Sequence, residues 1–189
     1  AGASIPYRKN RSEMKKWLCM FVCCLSVYVQ AQVWTLKEKE PAAPGTWWCF
    51  RNTVTLEELP RSLELRLAAD TKYWLWVNGE LQVSEGGLKR GPNPSDTYCD
   101  VITSLPALRA GENTVALLVW YFGKDGFSHR NSPTAGISFC LFCDGKEVEP
   151  DAKWRVKKYP AYYVPQGEQP NYRLAESNIG FDAVKDIPF

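Results

Sequence analysis

Residues 69–83, reading ADTKYWLWVNGELQV, constrain the fold of this chain more than any other stretch. Tyr73, Leu75 and Val77 alternate with Trp74 and Trp76, which is the period-2 pattern of a strand. Both faces of that strand are apolar or aromatic, so it is expected to be covered on both sides. Asn78-Gly79 is the dipeptide that tolerates positive φ at both central positions of a type I′ turn, and Leu81 and Val83 carry the return strand. The plain reading is a hairpin that only builds the fold. The sharper reading leaves Trp74 or Trp76 open as a platform on which a sugar ring stacks.

The remainder of the chain has the same grammar. WWCFRNTVTL, residues 47–56, is rich in aromatic and β-branched types and reads as a first strand. Leu63, Leu65 and Leu67 alternate with Ser62, Glu64 and Arg66, a half-buried strand with one wet face. Residues 86–94, GGLKRGPNP, form a loop by their Gly and Pro content, and 97–102 resume a strand. A short connector at 104–108 and a tight turn at 109–113 lead into TVALLVWYF, residues 114–122. That continuous apolar run has the length of a central sandwich strand. A polar loop follows at 123–134, then a strand at 135–143, a hairpin turn at Asp144-Gly145 and its return at 146–148. Trp154, Arg155 and Val156 read as the closing strand. About eight short strands separated by turn signals predict an all-β sandwich. No segment has the length and period of a core helix. After Tyr159 the pattern fades among Pro160, Pro165, Pro170 and Pro188, yet the stretch is too aromatic for a free tail. It reads as an irregular connector that packs on something.

Composition narrows the function classes. The 189 residues, with 13% aromatics and 8 Trp, suit one domain with a substantial core. The formal charge of +2 overstates the basic character. Residues 1–31 hold five basic side chains and one acidic one, so the rest carries 18 basic against 20 acidic, a net of −2. No basic stripe remains to track a phosphate backbone, so no nucleic-acid partner is expected.

Met14-Lys15-Lys16, an apolar run over 17–29, and Val29-Gln30-Ala31 have the three parts of a secretory signal peptide. Cleavage after Ala31 is expected, with an exported product in the periplasm or outside the cell and no membrane contact once the leader is removed. The run is too short for a spanning helix. Residues 1–13 then read as an upstream extension, 14–31 as the signal, 32–44 as a lead segment, 45–158 as the sandwich and 159–189 as a linker. Of seven Cys, Cys19, Cys23 and Cys24 leave with the leader. Cys49, Cys99, Cys140 and Cys143 remain, with three ways to pair them all. Cys140 and Cys143 make a lone CxxC without a second ligand pair, and on a strand they face opposite sides. Both are expected to be small buried residues. No metal and no cofactor is expected.

These pieces together resemble the N-terminal β-sandwich of bacterial α-L-rhamnosidases. Asp70, Tyr73, Val77, Asn78 and Gly79 match its hairpin, and Asp100, Leu108, Gly111, Asn113, Val115 and Val119 match its later strand–turn–strand pattern. Trp154 matches a Trp near its last strand, and residues 172–182 look like the linker to its catalytic domain. The resemblance implies a jelly roll of the galactose-binding-like type, which β-galactosidase-like hydrolases share in their own sugar-binding sandwich. In rhamnosidases the carboxylates that cut the bond lie in a separate α/α barrel, so the resemblance carries over no catalytic residue.

The chain's own residues point the same way. Glycoside cleavage needs two carboxylates about 5–10 Å apart. Asp96 and Asp100 border one loop and Asp125 sits in another, where a turn role is the simplest reading. Ser128, His129 and Ser132 lack a nucleophile elbow. The loop from Tyr121 to Arg130 is the local candidate for contact with a sugar or a second domain: Tyr121 and Phe127 are flat aromatics beside Lys124, Asp125, His129 and Arg130. The expectation is a non-catalytic accessory domain of a glycoside hydrolase, its partners a plant glycan or glycoside and a downstream catalytic domain. The rival is an autonomous carbohydrate-binding module.

Overall fold

The computed structural model describes residues 42–87, 99–126, 131, 135–168 and 176–187. The expected leader, most of the lead segment, Asp96, Phe127, His129, Arg130 and Tyr172 lie outside the described residues. So does most of the Gly/Pro loop.

Nine strands of the described chain form two antiparallel sheets. They are β1 (Thr46–Leu56), β2 (Leu63–Asp70), β3 (Lys72–Val77), β4 (Glu80–Gly87), β5 (Asp100–Ile102), β6 (Gly111–Tyr121), β7 (Gly136–Cys143), β8 (Lys146–Val148) and β9 (Arg155–Tyr159). The larger sheet has the order β4-β3-β6-β1-β9, and the smaller β5-β2-β7-β8. This is the all-β sandwich that the alternating pattern predicts, and β6 is indeed the central strand of its sheet. Phe50 and Val54, Leu65 and Leu67, Tyr73 and Leu75, Leu117 and Val119, and Ile137 and Leu141 face one another between the sheets. Each comes from every second position of its strand, so one register decides the whole core.

Two polar clasps hold the ends of the sandwich. The first joins the two turns singled out in the sequence. Asn78 (φ 52) and Gly79 (φ 84) form the expected positive-φ turn. Asn78 Nδ2 donates to Ala107 O at 2.7 Å and to Asn113 Oδ1 at 2.9 Å, while Asn78 Oδ1 accepts from Thr114 N at 2.9 Å. Asn113 is fully buried; its Nδ2 donates to Arg109 O and Gly111 O, and its Oδ1 also accepts from Arg109 N. The side-chain amides satisfy turn groups that a sandwich end would otherwise bury unpaired.

The second clasp ties the two sheets. Tyr73 Oη donates to Asp100 Oδ2 at 2.7 Å, and Gly87 N donates to the same oxygen at 2.8 Å. The Tyr73 ring reaches Asp100 beneath Gly86, where a Cβ would come within 2.3 Å of it. Only glycine leaves room there. Asp100 therefore has a structural hydrogen-bonding role. Trp154 closes the sandwich by packing edge-on to Phe139, ring centroids 5.3 Å apart.

Three expectations change. Cys140 and Cys143 do face opposite sides of β7, but both are half-buried rather than buried; with Cys49 and Cys99 they are free thiols. Trp74 and Trp76 are also only half-buried, so the outer side of β3 is incompletely covered. Among the described residues no third layer of sheet lies over it. Finally, β9 extends to Tyr159, and the described residues beyond it form β10 (Tyr162–Tyr163), β11 (Gly180–Phe181) and a single 3-10 turn at Ala183–Lys185. These short elements lie on the outer face of the larger sheet. There Trp47, Leu118, Trp120, Phe122, Tyr159 and Ala161 make a second apolar cluster, with Tyr162, Val164 and Ile187 packed against it.

Candidate functional site

The outer face of the five-stranded sheet has two ends. Near the start of β1, Trp47 stacks on Trp120 with centroids 5.1 Å apart and planes 12° from parallel. Tyr162 packs on Trp47 and Tyr159, and Phe181 on Tyr162, so the C-terminal segment closes this end. Towards the other end, among the described residues, lies a groove of about 610 Å³. Trp76, Asn78, Arg51, Arg109, Ala116 and Asp186 are among the residues lining it. A hollow of about 220 Å³ continues it past Arg51 and Ala116 to Arg155 and Lys157.

Strand register explains this assembly. Trp76 pairs with Ala116, Ala116 with Arg51, and Arg51 with Arg155 across β3, β6, β1 and β9. All four project outward, opposite to the core residues on either side of them. Ala116 contributes only a methyl group in the centre of the row, and that small residue leaves the hollow. Asn78 and Arg109 enter from the two turns that the asparagine clasp locks together.

The border of the groove is fixed by the Tyr159 hydroxyl, which donates to the Asp186 carboxylate. Burial, reinforced by that carboxylate, raises the Tyr159 pKa above its ordinary value, so the phenol stays protonated and remains a donor. Burial likewise pushes the Cys49 thiol in the hollow up to about 12, against the opposing pull of Lys157. Cys49 is therefore a packing group here and not a nucleophile at neutral pH.

The loop singled out in the sequence behaves differently. Tyr121 is 2% exposed and its ring belongs to the core between the sheets, so it presents no flat face outward. Asn131 Nδ2 donates to Tyr121 Oη at 3.2 Å, and Asn131 N donates to Asp125 Oδ1 at 2.9 Å, which ties the loop to itself. Lys124 and Asp125 are exposed. Phe127, His129 and Arg130 lie outside the described residues. Of the groove residues, Trp76, Asn78 and Gly79 stand out in the sequence, the last two as turn residues. Arg51 is a cation in the outward phase of a mostly apolar strand, whereas Arg155 opens a basic one, RVKKY. Among the described residues no cluster of three or more His, Cys, Asp or Glu side chains could hold a metal ion.

The sandwich is similar to part of the α-L-rhamnosidases. A GH78 family rhamnosidase of Bacillus sp. GL1 matches 70% of this chain with 27% identity and a TM-score of 0.60. An α-L-rhamnosidase from Aspergillus terreus shares the fold over 79% of this chain, with 17% identity and a TM-score of 0.54. A looser likeness, TM-score 0.42 and 18% identity over 77% of this chain, is to a Pleurotus ostreatus lectin solved with GalNAc. The chain spans only 14% and 21% of the two rhamnosidases, against 39% of the lectin. No family model and no curated protein sequence matches it. The fold is thus a β-sandwich of the kind found as one portion of these glycosidases.

Proposed function

We propose that this chain is the non-catalytic accessory sandwich of an exported glycoside hydrolase acting on rhamnosides, and that it meets carbohydrate in the Trp76 groove. The observation that carries the reading is the 27% identity over 70% of this chain against only 14% of the Bacillus rhamnosidase. Similarity confined to so small a share fits a module that supports chemistry done by another domain. The C-terminal segment fits the same role. Tyr163, Ile179, Phe181 and Val184 are exposed, Val184 by 94%, and a further domain would cover such apolar groups. Export rests on the leader expected at 14–31; among the described residues no helix is long and apolar enough to cross a membrane.

The test is direct. Purified chain incubated with a nitrophenyl α-L-rhamnoside gives no release above buffer, and turnover would overturn the accessory role. Titration with neutral and acidic oligosaccharides gives binding that Trp76→Ala removes. If no sugar binds, the carbohydrate-contact part falls and a docking scaffold remains. N-terminal sequencing after secretion from a bacterial host finds Gln32 first; retention of the leader would remove the case for export.

A further inference from the structure

One edge of the larger sheet is β9, whose only strand neighbour among the described residues is β1. Among the described residues Arg155, Val156, Lys157 and Lys158 make no backbone hydrogen bond on the side away from β1. Alternate N–H and C=O groups of an edge strand point to that side and form a template for another extended chain. The edge is also basic: RVKKY contains no acidic residue. Arg155, Lys157 and Lys158 are exposed, and none makes an ion pair among the described residues; the pairs present join Arg66 to Glu64, Lys72 to Glu85 and Glu176, and Lys185 to Asp182.

The other sheet edges differ. β4 carries Glu80 and Glu85, β5 carries Asp100, and β8 carries both Lys146 and Glu147. Charge of either sign deters edge-to-edge aggregation, so guarding an edge does not require a run of cations. Guarding also leaves Arg51 unexplained. It lies one strand further in, directly opposite Arg155, and like charges so placed weaken strand pairing. With Arg155 and Lys157 it lines the hollow of about 220 Å³ beside β9.

We infer that the free edge of β9 takes an acidic extended peptide as a sixth strand of the larger sheet. Main-chain hydrogen bonds hold such a strand, and its alternate side chains set specificity. Arg155 and Lys157 project to one face about 7 Å apart, the spacing of every second residue in an added strand. Acidic side chains at alternate positions therefore stand opposite both cations. A carboxylate beside Arg155 also offsets its repulsion from Arg51. A second copy paired β9 to β9 would set cation against cation, so charge disfavours that occupant. The inference does not depend on carbohydrate contact.

The test is fluorescence anisotropy with the purified chain and a labelled nine-residue peptide alternating glutamate and threonine. It is expected to bind about tenfold tighter or more than its glutamine–threonine analogue, a gap that salt narrows. Binding slows hydrogen exchange of the β9 amides, whereas attraction to side chains alone leaves them unchanged. Lys157→Glu weakens binding by about threefold or more, and Arg155→Gln, a milder change, acts in the same direction. Lys146→Glu, on the β8 edge, is silent. No binding of the acidic peptide, equal binding of the glutamine analogue, unchanged exchange in β9, or equal losses for Lys157→Glu and Lys146→Glu each overturns the inference. Self-association that Lys157→Glu abolishes would make a second copy the occupant and overturns it as well.

Discussion

The two ends of one sheet face use the same residue type for opposite purposes. Trp47 and Trp76 both project outward from the five-stranded sheet. Trp47 is 1% exposed, stacked on Trp120 and capped by Tyr162, and it is core. Trp76 is half-buried and lines a groove together with Arg51 and Asp186. No property of the indole distinguishes them. What does is the described C-terminal segment, which packs on Trp47 through Tyr162.

The comparison can be broken first by mutation. Trp47→Ala is expected to cost about 3–5 kcal/mol in urea unfolding, because it empties a closed aromatic stack. Trp76→Ala is expected to cost less, about 1–2 kcal/mol, because its side chain is half-buried rather than buried. Equal losses would show that the two ends are not different in kind.

Asn113→Ala strikes the clasp beneath the open end. It removes the acceptor for Asn78 Nδ2 and Arg109 N and the donor to two turn carbonyls, all at a buried site. A loss of about 1–3 kcal/mol is expected by denaturant titration. The same variant should weaken sugar binding through the displaced Arg109, whereas Trp47→Ala should leave affinity intact in the folded fraction.

Tyr159→Phe tests the fastening between the ends. Loss of its bond to Asp186 is expected to cost about 1 kcal/mol and to speed hydrogen exchange over residues 180–187. The wild type also has an alkaline signature. Tyr73 and Tyr159 both carry pKa values raised above the ordinary 10.0, chiefly by burial and then by the carboxylates of Asp100 and Asp186. Folded chains then hold these protons more tightly than unfolded ones, so the stabilisation is complete below pH 10.0 and falls as pH rises above it. Tyr159→Phe should flatten part of that high-pH limb in pH-dependent unfolding. A limb identical to wild type would detach Tyr159 from the border of the groove.

The smallest effect concerns rate. With its thiol pushed up to about 12, Cys49 is expected to react with iodoacetamide far more slowly than a free cysteine at pH 8. Mass spectrometry of tryptic peptides measures this. Fast labelling would mean that the Cys49 sulfur is less buried than its raised pKa requires.

Much of the fold was legible because it is written in local chemistry. Asn78-Gly79 announces its turn through the backbone it permits, and the alternation in β1, β2 and β3 announces which side is buried. The site was legible only in part. Trp76 drew notice as a large apolar side chain in an outward position. Arg51 and Arg155 are 104 positions apart in the chain and look like ordinary solvated charges until β1 and β9 pair. Tyr121 misled in the other direction. Its place beside a polar loop suggested an open ring, yet it continues the inward phase of β6 and ends in the core.

The residues alone determined the hairpin, the two layers and the position of the central strand, because each follows from neighbours a few places away. Only the tertiary structure decided which outward tryptophan is covered and which cations meet. Those outcomes depend on strand order and on the path of a segment with no period of its own, and neither is encoded in any short window of the chain.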